Sequence, residues 1–181
     1  ADLTDATLNG ARLFNTKLQK SLVAQKWQLT RDLVTEGGQG RNLAGADLSL
    51  TDLESADLRN ANLDSADLSQ ANLINASLQQ ANLTNANLTG SKLFRSNLKK
   101  SNLKGAILHD CDAREADFSE SELSEADLTD ADLGRANLTG VNLRHARLYR
   151  AELLIANLMY ANLGISQRQE ADFTEAKVGL I

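Results

Sequence analysis

Two histidines, a single cysteine and 24 carboxylates are the side chains of this chain most able to do chemistry. A nucleophile needs a base held against it. His109 and His145 lie far apart along the sequence, and no paired nucleophile and base is indicated around Cys111. A lone cysteine excludes an internal disulfide and the paired-thiolate spacing of a structural zinc site. The carboxylates fall in polar, solvated stretches, where an acid keeps its ordinary character instead of serving as half of a general acid–base pair. The 11 glycines are scattered and assemble no phosphate-cradling loop. No catalytic, cofactor-binding or metal-binding residue is expected, and the chain is read as a non-enzyme.

Charge offers a different kind of chemistry. The net charge of −5 exerts no general pull toward nucleic acid or an anionic membrane. No direct nucleic-acid binding is expected. The charges are nevertheless banded: Lys92, Arg95, Lys99, Lys100 and Lys104 form a basic belt, and an acidic belt follows from Asp110 to Asp132. Arg135, Arg144, Arg147 and Arg150 form a second basic belt. Adjacent opposite belts stabilise one another and keep a protein soluble. Within the acidic belt, Asp112, Glu115, Asp117, Glu120 and Glu122 make a candidate acidic face for a charged partner.

The element that carries these belts is set by a period of five. From Leu43 to Leu163 a large residue recurs at every fifth position, and 23 of those 25 positions are Leu, with Ala113 and Phe118 the exceptions. Two residues before each stands a small residue, such as Ala46, Ala56, Ser91 or Cys111, and the residue between them is mostly Asp or Asn. On an α-helix five steps rotate the apolar position by roughly 140°, which smears it around every face. On a flat strand an odd period sends successive Leu residues to opposite sides. A chain that turns a corner in every repeat keeps each Leu on a common axis.

The triplets Ala56-Asp57-Leu58, Ala81-Asn82-Leu83 and Ala131-Asp132-Leu133 resemble the pentapeptide-repeat family. The resemblance covers residues 1–18, 41–165 and 171–178. It implies an all-β solenoid, a right-handed quadrilateral β-helix with four repeats per coil and the central and small residues inward. The expected organisation is one coil at 1–18, an interposed helix and Gly-rich turn at 19–40, about six coils at 41–165, and a loop, final repeats and tail at 166–181.

Between Gln19 and Gly40 the repeat fails, and Leu22, Val23, Trp27, Leu33 and Val34 recur at helical spacing. An amphipathic helix is expected over 20–36, stopped by Gly37-Gly38 and anchored on the solenoid by Trp27. It resembles a segment that many cyanobacterial family members carry ahead of a long repeat block. Ser166 to Glu170 is expected to loop out, because Arg168 falls on a central position that cannot hold an unpaired charge. Just before it, Tyr149, Leu154, Ile155, Met159, Tyr160 and Ile165 fall on outward positions. Such a cluster marks an interface or lies under a cap, and residues 166–181, a homodimer through the C-terminal end or another protein are its candidate covers.

The resulting expectation is a rigid protein-interaction scaffold with an unidentified protein partner. The alternative comes from the resemblance: some family members mimic duplex DNA and bind DNA gyrase or a related topoisomerase. Those members favour Phe at the central position and carry more uniformly acidic surfaces than this chain. No run of residues is long and apolar enough to span a membrane as a helix. No signal-peptide pattern opens the chain. The compartment stays open, with a cytoplasmic protein favoured and a lumenal or periplasmic one the alternative if a targeting segment has been removed.

Overall fold

Nearly every repeat turns its corner by one hydrogen bond and one unusual backbone angle. The N–H of the small residue donates to the carbonyl of the central residue three before it, as in Ala56 to Leu53 at 3.0 Å and Ala61 to Leu58 at 3.1 Å. The third residue of nearly every such turn has positive φ, 58° at Ser55 and 57° at Asn60, the mark of a type II turn. The turn from Leu163 to Ser166 differs in placing positive φ on its second residue, Gly164. Glycine takes the third position without strain at Gly45, Gly90, Gly105 and Gly140, but most repeats put a polar side chain there. The Asp or Asn between the two inward residues supports the same turn. Its side-chain oxygen accepts the backbone N–H two residues on, as Asp67 does from Ser69 at 3.0 Å and Asn87 from Thr89 at 3.1 Å.

The computed structural model describes residues 22–179, and the repeats expected at 1–18 lie outside the described residues. Corner follows corner until four repeats close a coil. Asn42 then bridges Asn62, Asp47 bridges Asp67, Asp52 bridges Asn72 and Asp57 bridges Ser77, all parallel and 20 residues apart. These pairs define sides one to four of a four-sided β-helix. The bridges are held in both senses: Leu63 donates to Asn82 at 2.7 Å, and Asn82 donates back to Ala61 at 2.9 Å. A side this short bridges through a single residue per coil. The exception is a two-residue pairing of β1 (Asn157–Leu158) with β2 (Lys177–Val178).

Every central residue from Leu43 to Leu158 is buried, together with nearly all the small residues beside them. Polar members of the small set meet most of their needs locally: the hydroxyls of Ser96, Ser101 and Ser121 donate to the carbonyls of Leu93, Leu98 and Phe118. Ser91 departs from this, its hydroxyl buried without a partner. The core is therefore a stack of like side chains, coil on coil.

At the N-terminal end helix α1 (Leu22–Thr35) covers the first coil. Its inward stripe is Lys26, Leu29, Thr30 and Leu33, at i, i+3, i+4 and i+7. Trp27, the expected anchor, is half-buried and is not among the side chains packed on the core, whereas Leu33 is fully buried and Leu29 packs beside it. Val34 is exposed. A second hold is polar, since Lys26 Nζ reaches Asp47 and Ser49 at 2.8 Å each.

The helix gives way to the solenoid earlier than residue 41. Gly38 N donates to Asp57 O and Gly40 N to Arg59 O, so both already sit on side four. Gly38 holds a central position without a side chain because a Cβ there would lie 2.6 Å from Leu58 and 2.7 Å from Leu33. Leu33 thus fills the core space that a central side chain would otherwise occupy. At the other end, the loop expected at 166–170 is not a loop. Arg147 bridges Gln167, and Ala171 N closes a regular turn on Arg168 O. Arg168 escapes the burial penalty because it lies on the last described coil and stays exposed.

Candidate interaction surface

Three of five residues in every repeat point outward, and they are not equally free to recognise a partner. The Asp or Asn position is committed to its turn and, in places, to its neighbour on the next coil. Asn62 Nδ2 donates to Asn42 and Asn82 Nδ2 to Asn62, each at 3.0 Å, and Asn142 donates to Glu122. The two residues after the central one lie at the corner and carry no such duty beyond tolerance of positive φ. Corners are where this surface varies most, joined by the few positions that hold Lys92, Ile107, Arg147 or Glu152 in place of Asp or Asn.

The five carboxylates of the candidate acidic face do not share a face. Asp112 and Glu115 lie on side three, Asp117 and Glu120 on side four, and Glu122 on side one. They form a band around the rod, and each is engaged. Arg114 grips Asp112 at 2.7 Å and holds its carboxyl below the usual range. Arg95 meets Glu115 at 2.8 Å, one coil away. Lys99 and Lys100 both reach Glu120, at 3.2 and 3.3 Å, and lower its pKa. Asp117 accepts from Ser119 N and Asn137 Nδ2. Burial pushes Glu122 upward, and hydrogen bonds from Ser124 and Asn142 outweigh it to leave the carboxyl low.

The same coupling repeats on the far edge of the band, where Arg147 meets Asp127 at 3.1 Å and Arg150 meets Asp130 at 2.6 Å. Lys104 to Glu125 at 3.3 Å completes the near edge. These pairs are separated by about one coil length, so the basic and acidic belts neutralise each other through the coil-to-coil register. Such exposed pairs are individually weak, on the order of 0–1 kcal/mol, but they remove the free negative field a charged partner would need.

The apolar cluster near the C-terminus is likewise dispersed. Tyr149 stands on side two, Leu154 and Ile155 on side three, Met159 and Tyr160 on side four, and Ile165 on side one. They ring the rod at its four corners. Residues 166–178 do not fold over them but stack on as a further coil, and Leu154, Ile155, Tyr160 and Ile165 remain exposed. The tip of Met159 lies beside Gly179, just past that coil.

One depression is absent from the expectations drawn from sequence. It lies on side three, has a volume of about 250 Å³, and is lined among others by Phe94, Arg114, Gly134, Arg135, Glu152 and Leu154. Arg95 and Arg114 stand over the Phe94 ring at 4.8 and 5.8 Å. The signal was available in principle, as the column 94, 114, 134, 154 read in steps of twenty shows a glycine between larger residues. Among the described residues no cluster of His, Cys, Asp or Glu is arranged to hold a metal, and no helix is long and apolar enough to cross a membrane. The Cys111 thiol is pushed up to about 12, by burial first and by Asp112 second, which keeps it unreactive.

Comparison with known proteins addresses the repeat block. A family model described as a pentapeptide repeat region matches residues 81–158, and one for pentapeptide repeats in eight copies matches 39–70 and 61–99. Among solved structures, a trypsin-treated variant of QnrB1, a plasmid-mediated fluoroquinolone resistance protein, is 17% identical with a TM-score of 0.54, over 78% of this chain and 85% of that one. HetL, involved in heterocyst differentiation regulation in the cyanobacterium Nostoc sp. strain PCC 7120, is 25% identical over 76% of this chain and 85% of its own, with a TM-score of 0.28. Rfr23 from the cyanobacterium Cyanothece 51142 is 23% identical over 77% and 85%, with a TM-score of 0.37. No curated protein matches the chain in sequence. The likeness to QnrB1 concerns the fold, a right-handed β-helix.

Proposed function

The chain belongs to the pentapeptide-repeat family, and from that premise we propose that it is a non-enzymatic scaffold that binds a protein partner through its outward corners. The observation that carries this reading is the division of labour within each repeat. Central and small residues build the core, the residue between them secures the turn where it is Asp or Asn, and the corners, with the few intervening positions that hold Lys92, Ile107, Arg147 or Glu152 instead, are free to differ from coil to coil. The exposed Leu154, Ile155, Tyr160 and Ile165 are corner residues of this kind. Their dispersal around the rod favours a partner that grips it from more than one side over an end-to-end homodimer. Capture of partners from the native organism with the parent chain and with a Tyr160→Ser, Ile165→Ser variant tests it. A partner retained by the parent and lost by the variant is expected, and an identical set on both would remove the corners from the proposal.

The alternative, a DNA mimic acting on gyrase, has weaker support because the acidic band is neutralised by Arg95, Lys99, Lys100, Arg114, Arg147 and Arg150. A gyrase supercoiling assay decides it. No inhibition by the purified chain is expected. Inhibition abolished by changing Asp112, Glu115, Asp117, Glu120 and Glu122 to their amides would reverse the ranking.

A further inference from the structure

We propose that side three, around Gly134, is a self-complementary surface that pairs with a second copy of this chain in antiparallel orientation. The proposal deepens the scaffold reading by naming one partner, and it rests on that reading only in assuming that outward residues bind.

The first observation is a glycine that nothing in its own coil requires. Gly134 follows a central residue and does not have the positive φ that glycine serves elsewhere in the solenoid. A Cβ there would meet Asp132 Oδ1 at 3.1 Å, Arg114 Cγ at 3.6 Å and the Leu154 carbonyl at 4.0 Å, of which only the first is tight; that oxygen accepts the Gly134 N–H at 3.0 Å, and the same turn carries side chains at Ser69 and Thr89. Neither backbone strain nor want of space excludes a side chain. Its absence opens the depression.

The second observation is what stands beside the hole. Leu154, one coil on in the same column, is 44% exposed, and Ile155 is 37% exposed. Ile155 holds φ at 59° and is the only β-branched residue among the positive-φ positions of the described coils. A branched side chain in that region is strained, and strain retained at an exposed apolar position points to a purpose outside the isolated rod.

The third observation is charge. Around the depression Arg114 and Glu115 are paired, to Asp112 and Arg95. Arg135 and Glu152 line it as well, yet neither forms an ion pair with another described residue.

These features fit a second copy because the knob and the hole lie in one column on adjacent coils, about 4.8 Å apart. A two-fold axis perpendicular to side three, passing between those coils, sets Leu154 of each copy over Gly134 of the other. The same rotation carries Arg135 of one copy toward Glu152 of the other, and Ile155 toward the edge of the opposite hole. One operation therefore fills the hole, covers the exposed apolar pair and partners both free charges. The overlap involves only about four coils, so a weak, concentration-dependent dimer is the form expected.

Sedimentation equilibrium of the full chain over a concentration series tests the pairing. A monomer–dimer equilibrium is expected. Glu152→Arg and Arg135→Glu should each weaken it roughly ten-fold or more, because each sets like charges against one another, and the double reversal should recover it. Gly134→Leu should weaken it by filling the hole from within. Native circular dichroism in each variant excludes unfolding as the cause. A monomer at every concentration overturns the proposal, as does a dimer indifferent to all four variants. A monomer that still captures a partner through Tyr160 and Ile165 sinks the pairing alone and leaves the scaffold reading standing.

Discussion

Ala113 and Phe118 occupy consecutive central positions of one coil, where almost every other coil has two leucines, and both are fully buried. The physical sense is volume: a residue smaller than Leu on side three is offset by a larger one on side four, which keeps that layer near its ordinary packing. Ala113→Leu alone should overpack the coil and destabilise the protein by about 1–3 kcal/mol. Adding Phe118→Leu should restore most of the loss, and additive effects in a double-mutant cycle would refute the compensation. Cys111 supplies the readout from within the same coil. Its thiol is buried and held up near 12, so labelling by a thiol reagent at neutral pH measures opening of that layer and not surface reactivity.

At the scale of the element, α1 acts as a lid on the stack because Leu33 enters the core where Gly38 leaves room. Leu33→Ala removes that plug and should cost about 2–5 kcal/mol. A repeat array transmits such a loss mainly to its neighbours. Hydrogen exchange should therefore accelerate in the coil 41–60 while the amides of 121–140 keep their protection, and uniform acceleration would contradict a local lid. The ion pair of Lys26 with Asp47 fastens the same helix from outside. Burial works against the Asp47 carboxylate, but hydrogen bonds from Lys26 and Ser49 leave its pKa lowered.

For the whole molecule the belts make stability depend on acid. Asp57, Asp112, Glu120 and Asp130 are held below their ordinary values by hydrogen bonds from Arg59, Arg114, Lys99 with Lys100, and Arg150. A carboxyl whose folded pKa is depressed contributes its full stabilisation above the unfolded value, near 4, and loses it as pH falls through the folded value. The thermal midpoint should stay nearly level from neutral pH to about 5 and decline below about 4. A midpoint that rises on acidification would show that the belts repel on balance. The pairs are exposed, so added salt should shift the neutral-pH midpoint only slightly.

The period, the identity of the inward residues, the interposed helix and the banding of charge are all set by the sequence, because each is a property of positions counted along the chain. The coil-to-coil ion pairs were there too, since Arg95 with Glu115, Lys100 with Glu120 and Asp130 with Arg150 are one 20-residue coil apart. Which outward residues are neighbours is settled by the folded coils instead. Each corner turns the next repeat to a new side, so the five acids and the six apolar residues that read as clusters in sequence are distributed around the rod. Trp27 yielded its expected place to Leu33 because the helix meets the first coil along a stripe that helical spacing by itself does not orient. The hollow at Gly134 arises from a missing side chain between coils above and below, and so it exists only once the coils are stacked.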